Sequence, residues 1–449
     1  MKRFVSLDFA RGVGILGVLL IHIVNATYDA SWTQNLGTAP IPMIILLLVL
    51  MYFGGFVGMF VLLSAIGNFV SINSQLARLR EKGMEEGTAR RIIMKQQVIR
   101  GTFTWIIGYI SEALLNGILL KLLIGEWDPE PLWMYIFGTQ ILQTIGLCTI
   151  FSCALYILFL KWHWTRRKIS TAFLLLALVI LGIRGVIEIV LKQVPGLTLS
   201  FWKNIETRPW WENLGLVLLA PFIGRIFPLV PYFAMACIGA IIGLHIHDGK
   251  FNLHFLKQVQ LLAMAMFVAG LIAGVFSMFI LANDVGEGLG YLLESSTITG
   301  FLFINGGALW LLKMVLYRVE YKNKGEKFAR HTVFFRRFGM VTLTLWAFQW
   351  VMVFPLYLIQ LLTGWNVINQ GLNGYQLLCV LLLITLFWHL LLCRWERIDF
   401  RYSFEWLMVR FLSKSKEDAG RRMRVQEVLY HPEVIAIVEE ARGIPTNSI

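Results

Sequence analysis

The sequence predicts an all-α membrane protein, a polytopic transmembrane helical bundle of about ten spans. Three observations support this fold class. Hydrophobic residues make up 57% of the 449 residues, and charged residues only 15%. The mean hydropathy is +0.68, so the chain carries far more apolar surface than a soluble domain of this length buries. The apolar residues are also grouped in long stretches rather than scattered.

These apolar stretches follow one another along the chain, and each comes close to the roughly 20 residues that cross a bilayer as a helix. They are predicted at 8–28, 41–73, 98–122, 137–160, 169–191, 227–246, 256–281, 297–317, 338–362 and 373–394. The second stretch is too long for one crossing and too short for two, so we expect one tilted or broken helix. Gly54-Gly55 is the expected break, because paired glycines weaken a helix locally.

Basic residues indicate how the bundle lies in the membrane. The loops 74–97 and 318–337 are rich in Lys and Arg, whereas 28–40, 282–296 and 363–372 contain neither. By the positive-inside rule, the basic loops and both the N- and C-termini are predicted to be cytoplasmic. We therefore attribute the net charge of +13 to the orientation of the protein in the lipid bilayer, and we expect no nucleic-acid partner. The predicted location is the plasma membrane.

The composition changes near residue 396. Residues 1–395 form the predicted transmembrane domain, and 396–449 form a cytosolic tail. Within the tail, Arg401–Leu407 is predicted to be an interfacial amphipathic segment, with Trp406 at headgroup depth. The five cysteines lie in apolar stretches without metal-ligand spacing, so no metal site is expected. Walker, dinucleotide-binding and nucleophile-elbow motifs are absent from the sequence, which leaves nucleotide-driven pumps and serine hydrolases without support.

The first predicted helix carries Asp8, Arg11 and His22. Ionisable groups inside a bilayer are costly, so their default interpretation is functional. Arg11 and His22 lie within about 20° of each other around the helix and about 16 Å apart along it, so they share one face. Histidine, whose ordinary pKa is about 6.5, suits a general base. A buried histidine bonded between helices is the alternative, and Asp8 is expected to hold Arg11 as an ion pair.

Several other polar groups fall inside predicted spans. Glu112 is equally compatible with a site residue and with a structural pair, while Arg184 and Glu188 are spaced to neutralise each other. Gln143 and Gln349 are expected to act as hydrogen-bonding groups between helices. We retain Glu112 and Gln143, with Asp8, as supporting residues of a predicted site.

The first helix resembles that of the membrane-bound acyltransferase superfamily, including acyltransferase-3-like proteins, in its Ser-Leu-Asp-x-x-Arg-Gly opening and in the spacing of Arg11 and His22. Further segments resemble the branch that contains heparan-alpha-glucosaminide N-acetyltransferase and related bacterial membrane proteins of unknown function. These segments are Phe60–Gly67, Ile141–Gly146, Phe227–Gly243, Phe338–Thr344 and, in the tail, Phe404–Leu407. The resemblance covers most of the chain, but only the first-helix motif is specific.

One position departs from the heparan branch, where a histidine is expected in the loop after the first helix. This chain has Asp29 at that position. We therefore assign the catalytic role to His22, with Asn25 and Asp29 as its neighbours. The resemblance implies acyl-CoA, in particular acetyl-CoA, as a cytosolic donor, and a glycan or similar small molecule as an external acceptor.

Four arginines near the predicted cytosolic face are candidates for the phosphate groups of the donor, because a guanidinium binds phosphate through two parallel hydrogen bonds. They are Arg11, Arg100, Arg336 and Arg337. The predicted function is transfer of an acyl group to an amino or hydroxyl group, either directly or through an acyl-histidine. The alternatives are a secondary transporter or lipid-linked glycan flippase with Glu112, Arg184 and His22 as a proton relay, and an inactive scaffold. We leave open whether the chain forms a homodimer.

Overall fold

The computed structural model of the chain is helical throughout the residues that it describes, apart from turns and one isolated bridge between Tyr28 and Leu372. The described residues are 4–28, 41–112, 139–193, 208–224, 227–247, 252–280, 292, 297–368, 371–412 and 425–430. Asp29 and most of the loop that begins there lie outside these ranges. The predicted all-α class is therefore confirmed for the described part of the chain.

The helices are numbered here in chain order. They are α1 (Val5–Thr27), α2 (Ile41–Gly54), α3 (Val57–Glu81), α4 (Glu86–Tyr109), α5 (Ile141–Lys161), α6 (Arg166–Gln193), α7 (Trp210–Ile223), α8 (Leu229–Ile246), α9 (Leu253–Ile280), α10 (Ile298–Leu316), α11 (Gly325–His331), α12 (Val333–Met340), α13 (Thr342–Ala347), α14 (Val353–Thr363), α15 (Gly374–Glu396), α16 (Phe404–Leu412) and α17 (Val425–Tyr430). A π-helical turn, Tyr317–Tyr321, follows α10, and a 3-10 turn, Gln349–Met352, precedes α14.

Eight helices in the described part of the chain are long and apolar enough to cross a membrane. They correspond to eight of the predicted spans, which confirms the membrane class. The count of about ten and the cytoplasmic placement of both termini remain predictions. The predicted span 98–122 is described only as far as residue 112, and α4 begins earlier, at Glu86. The short apolar helix α7, which contains Pro221, was not predicted.

The predicted span 338–362 is not a continuous helix, and we call it the divided segment. It is divided among the end of α12, the short helix α13, the 3-10 turn and α14, with non-helical backbone at Val341 and Phe348. Each division leaves main-chain N–H groups that a continuous helix would satisfy internally. Such irregular backbone at membrane depth is tolerated where other parts of the protein satisfy these groups.

The break predicted in the second apolar stretch is confirmed. Helix α2 ends at Gly54, and α3 begins at Val57 after a short turn. A methyl group at Gly54 would lie 2.6 Å from Cγ2 of Ile21, so the turn lies directly against α1. Helix α3 continues to Glu81, beyond the predicted end at residue 73.

Helices α1 and α12 cross with their backbones in contact. A Cβ atom at Gly12 would lie 1.7 Å from the carbonyl oxygen of Phe335, and one at Gly339 would lie 1.9 Å from that of Asp8. Small residues allow this close approach, which is a common way to pack helices in membranes. The crossing fixes the start of the divided segment against the first helix.

The two ends of α1 are tied to different parts of the chain. At its C-terminal end, the N–H of Leu372 donates to the carbonyl oxygen of Thr27 at 3.1 Å. At its N-terminal end, the N–H and hydroxyl of Ser6 donate to Glu320 Oε1 at 3.3 and 3.0 Å. The carboxylate stabilises unpaired N–H groups at a helix start. Helix α1, which carries Arg11 in its first half and His22 in its second half, is therefore held at both ends.

Candidate functional site

The side chain of Arg11, on α1, extends to α3. Its Nη1 is 3.6 Å from Asp8 Oδ1, so the ion pair expected from the spacing is present. Its Nη2 donates to the carbonyl oxygen of Leu63 at 3.2 Å, and a Cβ atom at Gly67 would lie 2.9 Å from the same nitrogen. The side chain is 29% exposed, in contrast to 3% for Asp8. The guanidinium is therefore held in place while keeping part of its surface accessible.

His22 lies among polar and aromatic side chains of the divided segment. Its ring centroid is 6.4 Å from that of Trp346, in an edge-on arrangement, and its imidazole interacts with the side chain of Gln349. The indole Nε1 of Trp346 and the amide Nε2 of Gln349 donate to Glu112 Oε1, at 3.3 and 3.4 Å. We call these four residues the His22 cluster. They come from α1, from the π-helical turn that follows α4, from α13 and from the 3-10 turn before α14.

The bond to Glu112 defines how the amide of Gln349 is oriented. Its nitrogen donates to Glu112, and its oxygen is buried without a hydrogen-bond partner among the described residues. A neutral imidazole such as that of His22 carries a lone pair on one ring nitrogen, which can accept a proton. Glu112 and Gln349 are each 6% exposed, so this orientation is set within the protein interior.

Glu112 occupies a distinctive position at the end of α4. The helix continues from Tyr109 into a π-helical turn over residues 110–112. Such turns often occur at functional sites because they displace a side chain from the regular helix face. The described partners of Glu112 include Trp346 and Gln349, which lie beside His22, and its assignment as a site residue stays a prediction.

Trp346 and Gln349 are the members of the cluster that the sequence did not identify as site residues. Gln349 was expected only to join helices, and its isolated amide in an apolar stretch was the available signal. Asn25, one turn after His22, is exposed and lies on α1. Gln143 is buried at the start of α5, where its Oε1 accepts from the N–H of Gln140 at 2.8 Å. Its observed role is therefore that of a helix cap.

Arg100 lies between α4 and α3. Its Nη1 donates to Asn68 Oδ1 at 2.7 Å, and Asn68 Nδ2 donates to Thr149 Oγ1 at 3.1 Å. A narrow crevice adjoins this chain of hydrogen bonds and is lined in part by Ser64 and Ser152, but it has no room even for a water molecule. Typical pockets for small organic ligands have about 300–1,000 Å³, so this crevice alone is too small for acyl-CoA.

Arg336 and Arg337 bind the tail. Arg336 is buried, and its Nη1 and Nη2 donate to the carbonyl oxygens of Leu429 and Val428 at 2.9 and 2.6 Å. Arg337 forms an ion pair with Glu396 and donates to Tyr430 Oη, which in turn donates to Glu396 Oε1. We call Arg336, Arg337, Glu396 and Tyr430 the tail anchor. The sequence analysis assigned both arginines to phosphate groups of the donor. In the structure, both have hydrogen-bond partners in the tail instead.

Arg184 and Glu188 form the predicted ion pair, with 2.9 Å between Arg184 Nε and Glu188 Oε1. Glu188 Oε1 also accepts from the N–H of Ile298 at 2.8 Å, at the first residue of α10. The pair therefore joins α6 to the start of α10, where a carboxylate stabilises unpaired N–H groups. This contact gives Glu188 and Arg184 a structural role.

No protein-family model matches the chain, and neither a curated protein nor a solved structure shows significant similarity to it. No group of three or more His, Cys, Asp or Glu side chains placed to hold a metal ion occurs in the described ranges. The eight apolar helices define the class as an integral membrane protein. Any more specific assignment depends on the chemistry of the site.

Proposed function

We propose that the protein is an integral membrane acyltransferase that moves an acyl group, in particular acetyl, from acyl-CoA to an amino or hydroxyl group of a glycan or similar acceptor. The observation that carries the proposal is the His22 cluster. It gives an imidazole inside the helical bundle an oriented amide and a nearby carboxylate. Arg11, on the same helix, supplies a partly accessible guanidinium.

In the proposed reaction, the amino nitrogen or hydroxyl oxygen of the acceptor attacks the thioester carbonyl. His22 accepts the proton that this atom loses. A C–N or C–O bond forms, the C–S bond breaks, and the proton passes from the imidazolium to the leaving thiolate. In this proposal Gln349, whose amide nitrogen donates to Glu112, is assigned to orient the imidazole of His22. A positioned general base of this kind contributes about 10²–10⁴-fold to a rate.

The donor's phosphate groups are assigned to Arg11 and Arg100. Both present guanidinium groups near α3, and a guanidinium matches the geometry of a phosphate oxygen pair. Arg336 and Arg337 are left out of the proposed donor site because their hydrogen bonds hold the tail. In this proposal the donor approaches from the predicted cytoplasmic side, and the acceptor from the other.

A proton-coupled transporter or flippase is the second candidate, since a histidine that lies near a buried carboxamide and carboxylate inside a helical bundle also fits a proton relay. Arg184 was expected to belong to that relay. Its ion pair with Glu188, at the start of α10, gives it a structural role instead. The acyltransferase is therefore the proposal that uses the observed contacts more fully.

The decisive experiment measures transfer from radiolabelled acetyl-CoA to a panel of amino sugars by the purified protein. We expect the His22→Ala variant to lose transfer by about 10²-fold or more while still binding CoA. His389→Ala is the matched control, because His389 also lies on an apolar helix but contacts Phe334. Transfer at the wild-type rate by His22→Ala would exclude His22 as the base.

Sidedness is tested separately. Lys324 and Thr363 are both exposed and lie in loops predicted to face the cytoplasm and the exterior, respectively. Lys324→Cys and Thr363→Cys, each in a background without native cysteines, are treated with an impermeant maleimide in intact cells. We expect labelling of the cysteine at 363 alone, whereas labelling at 324 would invert the orientation and remove the basis for a cytosolic donor.

A further inference from the structure

The divided segment that carries Trp346 and Gln349 needs contacts from other parts of the chain to keep its conformation. Helix α13 has six residues, and non-helical backbone stands at each end of it. A helix this short is unstable without tertiary contacts. Since a functional site requires groups held within about 0.5 Å, something outside the segment must fix its geometry.

The tail helix α16 supplies the missing contacts at the start of α13. Glu405 Oε1 accepts from the N–H groups of Leu343 and Thr344, at 2.5 and 3.3 Å, and Oε2 accepts from the Thr344 hydroxyl at 2.6 Å. The Thr344 oxygen in turn accepts from the N–H of Phe404 at 2.8 Å. A carboxylate that accepts from the first N–H groups of a helix stabilises that helix start.

A second contact lies at the other end of α13. The ring of Phe404 stacks on that of Phe348, with centroids 5.6 Å apart and planes 12° apart. Phe348 stands between Trp346 and Gln349 in the chain, so the tail contacts the turn that presents both of them to Glu112. Helix α16 also reaches α4 through Phe411 and Phe103, whose centroids are 6.0 Å apart.

We propose that α16 of the tail is a positioning element for the His22 cluster, with Glu405 as its principal positioning residue. The helix touches both elements that lead to the other members of the His22 cluster, namely α4, which is followed by Glu112, and the divided segment, which carries Trp346 and Gln349. The amphipathic segment expected at the membrane interface therefore has a second role, in which its carboxylate turns inward. Burial raises the pKa of the Glu405 carboxyl above its ordinary value, against the opposite effect of its hydrogen bonds from Thr344 and the main chain.

The test compares the reactivity of one buried cysteine in several variants. Leu345→Cys is introduced on α13, where the leucine is 1% exposed, and Cys237 on α8 is retained as the only native cysteine. The rate of modification by N-ethylmaleimide is then measured at both positions. We expect Glu405→Gln and Phe404→Ala to raise the rate at position 345 about tenfold and to leave Cys237 unchanged.

The controls separate local loosening from unfolding. Glu326→Gln removes an exposed carboxylate paired with Arg330 and should change neither rate. If Glu405→Gln does not fold, Thr344→Val and Thr344→Ser replace it, and only the valine variant should raise the rate. Equal rates in all variants, or parallel increases at positions 345 and 237, would overturn the proposal.

The consequence for activity depends on the proposed acyltransferase function. In the acetyl-transfer assay, Glu405→Gln should lower kcat about tenfold and leave KM for the donor within twofold. An unchanged kcat would overturn the positioning role in catalysis. If the wild-type protein transfers nothing, the acyltransferase proposal fails, and the cysteine measurements still decide whether α16 positions the cluster.

Discussion

The His22 cluster and the tail anchor each contain a buried carboxylate, Glu112 and Glu396 respectively, but different kinds of group donate hydrogen bonds to the two carboxylates. In the tail anchor, Glu396 accepts from Arg337 and from Tyr430, so a full positive charge faces the carboxylate. In the His22 cluster, the donors to Glu112 include the neutral side chains of Trp346 and Gln349.

This difference predicts a role in stability for the tail anchor and a role in activity for the His22 cluster. A buried ion pair gives geometry that is costly to break, because each charge left alone in the interior is strongly disfavoured. A histidine beside neutral side chains can instead gain and lose a proton near neutral pH, because the ordinary pKa of an imidazole is about 6.5. We therefore expect changes in the tail anchor to affect stability, and changes near His22 to affect activity.

The largest effect is expected from Glu396→Ala. The substitution leaves Arg337 buried without its carboxylate, which should lower the free energy of unfolding by about 3–5 kcal/mol. Detergent-induced unfolding in mixed micelles measures the loss. In the matched double variant, Arg337→Met with Glu396→Leu, most of this stability should return, because no charge is left unpaired. A loss below about 1 kcal/mol in the single variant would contradict the assignment of the anchor to assembly.

An intermediate effect is expected from Arg11→Lys. A lysine keeps the charge but cannot form two parallel hydrogen bonds with a phosphate, so binding of CoA should weaken by about 1–3 kcal/mol. Calorimetry on the purified protein measures the change, with Arg330→Lys, at an exposed ion pair, as the control. Unchanged affinity would mean that Arg11 serves only to pair with Asp8 and to join α1 to α3.

The smallest effect is expected from Glu112→Gln. The amide retains an oxygen that accepts from Trp346 and Gln349, so the free energy of unfolding should change by less than about 1 kcal/mol. The loss of charge beside the imidazole should still lower kcat for acetyl transfer about tenfold, which corresponds to about 1.4 kcal/mol. A large loss of stability with no change in kcat would place Glu112 with the tail anchor rather than with the site.

Much of the architecture followed from the sequence because it depends on local composition and helical geometry. The apolar stretches identified eight helices that can cross a membrane, and the glycine pair marked the turn between α2 and α3. The pair between Asp8 and Arg11, three residues apart on one helix, also followed from spacing alone. Periodicity likewise put Arg11 and His22 on one face.

Only the tertiary structure decided which groups meet across the bundle. Glu112 and Trp346 are 234 residues apart in the chain, and Arg336 contacts a segment 93 residues away. Helical periodicity fixes the face on which a side chain lies, but not the helix that covers that face. The division of the span 338–362 was also hidden in the sequence, because the Glu405 carboxylate that supports it comes from a tail helix about 60 residues further on. Contacts of this range depend on how the helices pack, and hydropathy carries no information about them.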